Sequence, residues 1–171
     1  MADPILLCIG NLAAGKTELG ARLASALDVR VVSIDECRRT LGDGTAAGEA
    51  CAWSSFLAQV QQREPMVVEC SGGGPFTHLL RHALGARPFT VVFVRTPRTI
   101  CLDRIRRRGL DAPYPDFGVP IEQVVEVVER DLERQIVTTW SGPRIDVDGT
   151  EPVENGVGRV LSSLRSAAEQ P

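Results

Sequence analysis

A short apolar run, Ile5 to Ile9, leads directly into Gly10-Asn11-Leu12-Ala13-Ala14-Gly15-Lys16-Thr17, after which Leu19, Leu23 and Leu27 recur at helical spacing. Strand, glycine-bounded turn and amphipathic helix in that order leave few folds open, because a buried strand followed by a crossover helix belongs to a parallel sheet. The octet fits G-x-x-x-x-G-K-[ST], a loop whose backbone N–H groups and helix dipole hold phosphate oxygens. Lys16 is then expected to neutralise β/γ-phosphate charge and Thr17 to offer its hydroxyl to Mg2+, with Glu18 closing the nucleotide-binding stretch that begins at Gly10. Lys16 is the only lysine among nineteen basic residues. A compact ammonium suits a tight phosphate loop where a planar guanidinium fork does not.

The same alternation runs through the chain. Residues 4–9, 31–34, 66–70, 89–95 and 144–147 read as five strands, mostly continuous in apolarity and so buried on both faces. Helical periodicity fills the intervals: Trp53, Phe56, Leu57 and Val60; Phe76, Leu79, Leu80 and Ala83; a helix entered at Thr96-Pro97; another after Val119-Pro120; and a last one through Val153, Val157, Val160, Leu161 and Leu164. This predicts an α/β fold of three layers, a five-stranded parallel sheet flanked by helices, in a single domain over residues 1–171. Two loops, residues 42–48 and 109–118, are candidates for mobile segments beside a substrate.

Residues just past the carboxyl ends of parallel strands face a ligand crevice. The second strand is expected to end at Ile34-Asp35, which places Asp35 near the γ-phosphate, where a carboxylate orients an acceptor hydroxyl and takes its proton. Arg38, one turn on, is a candidate for binding a phosphate or carboxylate of the acceptor, with Arg39 beside it; helix capping and solvated arginines are the plain alternatives. Glu69 ends the third strand and is a candidate for holding Mg2+ through water, for a base, or for a structural partner. Ser71, Gly72 and Gly73, continuing into Gly74, offer either N–H groups for an anionic acceptor or a flexible turn. Arg104, Arg106, Arg107 and Arg108 exceed what a helix C-terminus requires and open a Pro/Gly-rich stretch, which suggests a lid over residues 104–119. Arg104 and Arg108 share a face and are the choices for closing over a group in transfer, with Arg107 third.

Composition limits the alternatives. A net charge of −3 with 5% aromatic residues speaks against generic nucleic-acid binding. Five cysteines at wide spacings support neither a zinc site nor a disulfide framework, and no early apolar stretch is long enough to span a bilayer, so a cytoplasmic location is expected. His78 and His82 stand at i,i+4 without a third ligand.

On the octet, Asp35-x-x-Arg38, Arg107-Arg108-Gly109 and Val119-Pro120-Ile121-Glu122, the chain resembles the P-loop kinase superfamily, most closely its phage-type polynucleotide 5′-hydroxyl kinases. That resemblance implies a central parallel sheet, Asp35 as general base, Arg38 on an acceptor phosphate and Arg108 as the lid arginine. Ser71-Gly72-Gly73-Gly74 looks more like shikimate kinases, and the Ala-Gly-Lys loop followed by an aspartate is similar to chloramphenicol-type phosphotransferases. The leading expectation is an Mg2+-dependent kinase that moves the γ-phosphoryl group of ATP, or a related nucleoside triphosphate, to the hydroxyl of a small molecule. A polynucleotide 5′-kinase, with nucleic acid as acceptor, and a slowly hydrolysing nucleotide switch are the two other readings.

Overall fold

Successive residues of the first strand face opposite apolar layers, and this double burial sets the architecture. The computed structural model describes residues 5–110 and 112–169, so Pro4 and Asp111, which the sequence reading assigned to the first strand and the lid, lie outside the described residues. Strand β1 (Ile5–Gly10) is buried at every position. Its Ile5, Leu7 and Ile9 join one core cluster while Leu6 and Cys8 join the other. Around it stand β2 (Arg30–Ser33), β3 (Met66–Glu69), β4 (Phe89–Arg95) and β5 (Arg144–Asp148), all parallel in the order β2-β3-β1-β4-β5. Register places Ile5 opposite both Met66 and Phe89, so the carboxyl ends of β1 and β3 finish side by side.

Helices cover both faces. Helices α1 (Lys16–Leu27), α5 (Arg98–Arg108) and α7 (Val153–Ala168) supply Leu19, Leu23, Cys101, Leu102 and Val160 to one cluster. Helices α2 (Ile34–Leu41), α3 (Ala46–Val60) and α4 (Thr77–Leu84) supply Ile34, Trp53, Phe56, Leu80 and Leu84 to the other. Helix α6 (Ile121–Thr138) serves both, with Val124 and Val125 in the first and Leu132 and Ile136 in the second. Each such side chain contributes about 1.5–3 kcal/mol when fully withdrawn from water.

Several boundaries differ from the expected ones: β1 and β5 each run one residue longer, to Gly10 and Asp148, and β2 begins one residue earlier, at Arg30. Strand β2 stops at Ser33, whose extended backbone (φ −116°, ψ 133°) caps α2, so Ile34 and Asp35 lie in a helix; Asp35 and Glu36 favour its first turn by meeting the positive dipole end. The loop expected over residues 42–48 shortens to 42–45, because the Thr45 hydroxyl accepts from the Gly48 N–H and starts α3 early. Thr96 does not cap α5: its hydroxyl donates to the Ala14 carbonyl at 2.8 Å, and Pro97 takes the cap position. Strand β3 stops at Glu69, one residue before the expected Cys70.

Gly72 follows β3 with φ +77°, and a Cβ there would come within 2.7 Å of the Ile9 side chain. Its carbonyl accepts from the Trp140 indole at 2.7 Å. Left-handed backbone and contact with a fully buried strand together predict that Gly72→Ala lowers stability by about 2–3 kcal/mol, read as a shift of the urea midpoint at unchanged m-value.

Candidate functional site

The loop after β1 is built on close contacts that exclude side chains. A Cβ on Gly10 would meet the Val94 carbonyl at 2.6 Å, and one on Gly149 would meet the Thr96 hydroxyl at 2.0 Å and the Ala14 carbonyl at 2.4 Å. Ala13 (φ +55°) and Gly15 (φ +104°) take the left-handed turns that aim the chain into α1. Asn11 donates through Nδ2 to the Val125 carbonyl at 3.0 Å and accepts the Leu12 N–H at 2.8 Å, which ties the loop to α6. Lys16 is buried and its Nζ donates to the Asn11 carbonyl at 2.7 Å. The ammonium is thus held across the mouth of the loop.

Beside it opens a cleft of about 650 Å³, lined by Leu12 to Leu19, Asp35, Arg104, Arg107, Arg108 and the turn around Gly149. Thr17 and Glu18 are exposed within it. Gly10 and Asn11 do not line it: they brace the loop from behind, because the one is pressed on β4 and the other faces α6. Arg104 is half-buried and donates to the carbonyls of Ala13 (3.1 Å) and Gly149 (2.8 Å), clamping the loop to the turn after β5. Arg107 pairs with Asp103 on the surface at 2.8 Å, and Arg108 lines the cleft one residue before Gly109.

A second, smaller pocket of about 280 Å³, the inner pocket, adjoins the first. Leu12, Lys16, Asp35 and Tyr114 line both cavities, so they form the partition between them. In the inner pocket Arg38 donates to Glu49 twice (2.8 and 2.5 Å) and to Asp35 Oδ1 at 2.7 Å. Trp53 Nε1 fixes the Glu49 carboxylate at 2.8 Å, and the Tyr114 ring covers the guanidinium at 4.3 Å. The Tyr114 hydroxyl donates to Asp35 at 2.9 and 3.0 Å to its two oxygens. Burial and the Asp35 charge push the Tyr114 hydroxyl up, which keeps it a donor. Burial opposes the Arg38 charge, but the Glu49 hydrogen bonds and the surrounding groups outweigh it and raise its pKa; Glu49 is lowered, Arg38 overcoming the cost of its burial.

Glu69 is 1% exposed, accepts from Ser33 Oγ at 2.6 Å and lines the inner pocket rather than the larger cleft. Burial raises its pKa against the opposing pull of Lys16 and the Ser33 hydroxyl. Cys70 next to it has its thiol pushed by burial up to about 12 and is a neutral part of the wall.

Several expected site residues sit elsewhere. Arg39 pairs with Glu36 on the outer face of α2 and does not line either cavity. Of the glycine run, Ser71 and Gly73 line the inner pocket with Gly74, but Gly72 packs into the core, and the Gly74 N–H is taken by Asp131. Arg38 reaches the pocket with its fork already filled by Glu49. His78 and His82 are exposed on α4, and no cluster of three or more metal-binding side chains occurs among the described residues. Sequence reading missed Glu49 and Tyr114. The i,i+4 step from Glu49 to Trp53 and the position of the chain's single tyrosine inside Pro113-Tyr114-Pro115 were the available signals.

No protein family and no curated protein matches this sequence. Its fold does match solved structures. Shikimate kinase from Acinetobacter baumannii superposes with a TM-score of 0.70 at 20% identity, covering 99% of this chain and 97% of that one. A gluconokinase from Sinorhizobium meliloti 1021 gives 0.68 at 18% (98% and 95%), and deoxyadenosine kinase from M. mycoides gives 0.65 at 14% (95% and 99%). These likenesses show that the chain shares its fold, a five-stranded parallel sheet flanked by helices, with these kinase structures.

The buried Glu69 yields a pH test. An acid with a raised folded-state pKa binds its proton more tightly folded than unfolded, so its contribution to stability falls as pH rises from the ordinary carboxyl value, about 4.3, through the folded one. Glu69→Gln keeps an acceptor for Ser33 without the charge. The variant is therefore expected to exceed wild type in urea midpoint at about pH 8 and to converge with it at about pH 4. A gap that widens on acidification would contradict the assignment.

Proposed function

We propose that the chain is an ATP-dependent kinase that phosphorylates a hydroxyl of a small molecule, with the nucleotide in the larger cleft and the acceptor in the inner pocket. The carrying observation is the shared partition: Lys16 and Asp35 line both cavities, which is where a group passing from donor to acceptor must cross. The shikimate kinase, gluconokinase and deoxyadenosine kinase likenesses support the same class of reaction.

In this reading the loop N–H groups of Ala13, Gly15, Lys16 and Thr17 hold the β- and γ-phosphates, those of Leu12 and Ala14 being held by Asn11, and Lys16 shifts from the Asn11 carbonyl onto them. The acceptor hydroxyl takes the position on Asp35 that the Tyr114 hydroxyl fills in the free chain. The acceptor oxygen forms a bond to γ-phosphorus as the bond from γ-phosphorus to the bridging oxygen breaks. ADP leaves with that electron pair, and the hydroxyl proton passes to Asp35. Arg104, already anchored to the loop backbone, and Arg108 at the lid stabilise the transferring charge. Mg2+ fits the donor set, because it takes few protein oxygens and completes its shell with phosphates and water. The exposed Thr17 hydroxyl is the direct candidate and Glu69 an outer one; the bound ion would offset phosphate charge.

Occupation of the Arg38 fork by Glu49 weighs against a polynucleotide acceptor, whose phosphate would need that fork open.

Two substitutions separate the roles. Asp35→Asn is expected to lower phosphoryl transfer by about a hundredfold or more while ATP affinity is retained; Lys16→Ala is expected to weaken ATP binding and transfer together. An amine-directed ATP analogue has one side-chain target here and should label Lys16 unless excess ATP is present. Unblocked labelling, or undiminished transfer by either variant, would overturn the reading.

A further inference from the structure

The inner pocket has its cation and part of its glycine-run backbone already claimed from within. Arg38 is the one cation of its wall besides the loop residue Lys16. Three of its N–H groups are already committed, two to Glu49 and one to Asp35, and its flat face lies under the Tyr114 ring. Glu49 is itself locked by the Trp53 indole, so the pair cannot swing apart without breaking a third bond. Two positions of the glycine run are also taken. The Gly74 N–H is held by Asp131 and Gly72 packs against Ile9. Asp35, Glu49 and Glu69 face Lys16 and Arg38, three acids against two bases, before any donor phosphate claims Lys16. The rest of the wall is chiefly apolar: Trp53 stacked on Phe76 at 4.8 Å, Tyr114 near Phe117, and the α6 side chains Val124 and Val128.

We infer that the acceptor is an uncharged alcohol with an aromatic or alicyclic body, and that Glu49 determines this selectivity by occupying the Arg38 guanidinium. This rests on the kinase reading. Burying a carboxylate beside Glu49 and Asp35 without a free cation costs far more than stacking its body returns, so an acidic analogue of a good acceptor is rejected. The body lies among Trp53, Phe76 and Phe117, and its hydroxyl replaces that of Tyr114 on Asp35. The balance of the transfer is unchanged: the hydroxyl oxygen gains the γ-phosphoryl group, Asp35 takes its proton and ADP departs.

The test uses three 2-phenylethanol derivatives that differ only in a far-end carboxamide, carboxylate or aminomethyl group. They are ranked twice on the full chain, by transfer from γ-labelled ATP and by quenching of tryptophan fluorescence; Trp53 lines the pocket and the buried Trp140 does not. Wild type is expected to favour the carboxamide over the carboxylate by about tenfold or more, and Glu49→Gln to shrink or invert that ratio by freeing the Arg38 fork. Arg38→Met/Glu49→Gln should again disfavour the acid, because the released cation is gone. Preference of wild type for the carboxylate or the amine, an unchanged ratio in folded Glu49→Gln, or no quenching by any of the three overturns the inference. Quenching in the expected order without transfer to any acceptor refutes the kinase reading and leaves the pocket's selectivity supported. If Glu49→Gln does not fold, the wild-type ranking decides.

Discussion

The end of β1 has no room for side chains, and the rest of the site follows from that constraint. Gly10 lies against the β4 backbone, and Gly149 against Ala14 and Thr96, so the loop is gripped between two strand ends before any ligand is involved. A backbone held this way keeps its N–H groups aimed without help from the ligand, which lowers the ordering cost of binding. Arg104 extends the grip by bonding to carbonyls on both sides, Ala13 and Gly149. Its role is partly mechanical: the same guanidinium that faces the cleft also keeps the loop and the β5 turn together.

A second constraint is the burial of charge. Asp35, Arg38 and Glu49 sit close together at 10 to 17% side-chain exposure, and a network of this kind is worth keeping only if every partner is satisfied. Glu49 accepts from Arg38 and Trp53, Asp35 from Arg38 and Tyr114, and Arg38 is stacked as well as paired. Such an arrangement contributes little net stability compared with apolar packing, but it fixes side-chain positions. Asp35 is thereby held at the partition between the two cavities, and the proton-acceptor role proposed for it depends on that fixed position.

What the sequence made legible was local. The octet, its flanking strand and its helix form a contiguous pattern, and the five strands lie within a residue of their expected limits because burial on both faces leaves a continuous apolar signature. The cavity-lining positions were legible where residues stand at or just past strand ends, as for Lys16, Asp35 and Glu69. It was obscured where the partner comes from distant chain. Nothing around Arg38 announces that Glu49, eleven residues on, fills its fork, and nothing around Asp35 announces that Tyr114 donates to it from seventy-nine residues away. The glycine run misled for the same reason: its flexibility is local, but its groups are claimed by Asp131 from within α6 and by Trp140 just beyond that helix.

These distant partners come chiefly from two elements, α6 and the loop before it. Helix α6 holds Asn11 through the Val125 carbonyl, Gly74 through Asp131, and the inner pocket wall through Val124 and Val128, while the loop contributes Tyr114, Pro115 and Phe117. The sheet therefore presents the loop, Lys16 and Asp35 at fixed positions, and one helix with its leading loop shapes what approaches them. Loops and helices on that side can change with little effect on a sheet buried on both faces, whereas the strand ends cannot move without breaking close contacts. In the proposed reading, chemistry on the strand ends and selectivity on the cover are therefore separable, and the Glu49–Arg38 pair, anchored by Trp53 on α3 and roofed by Tyr114, stands where the two meet.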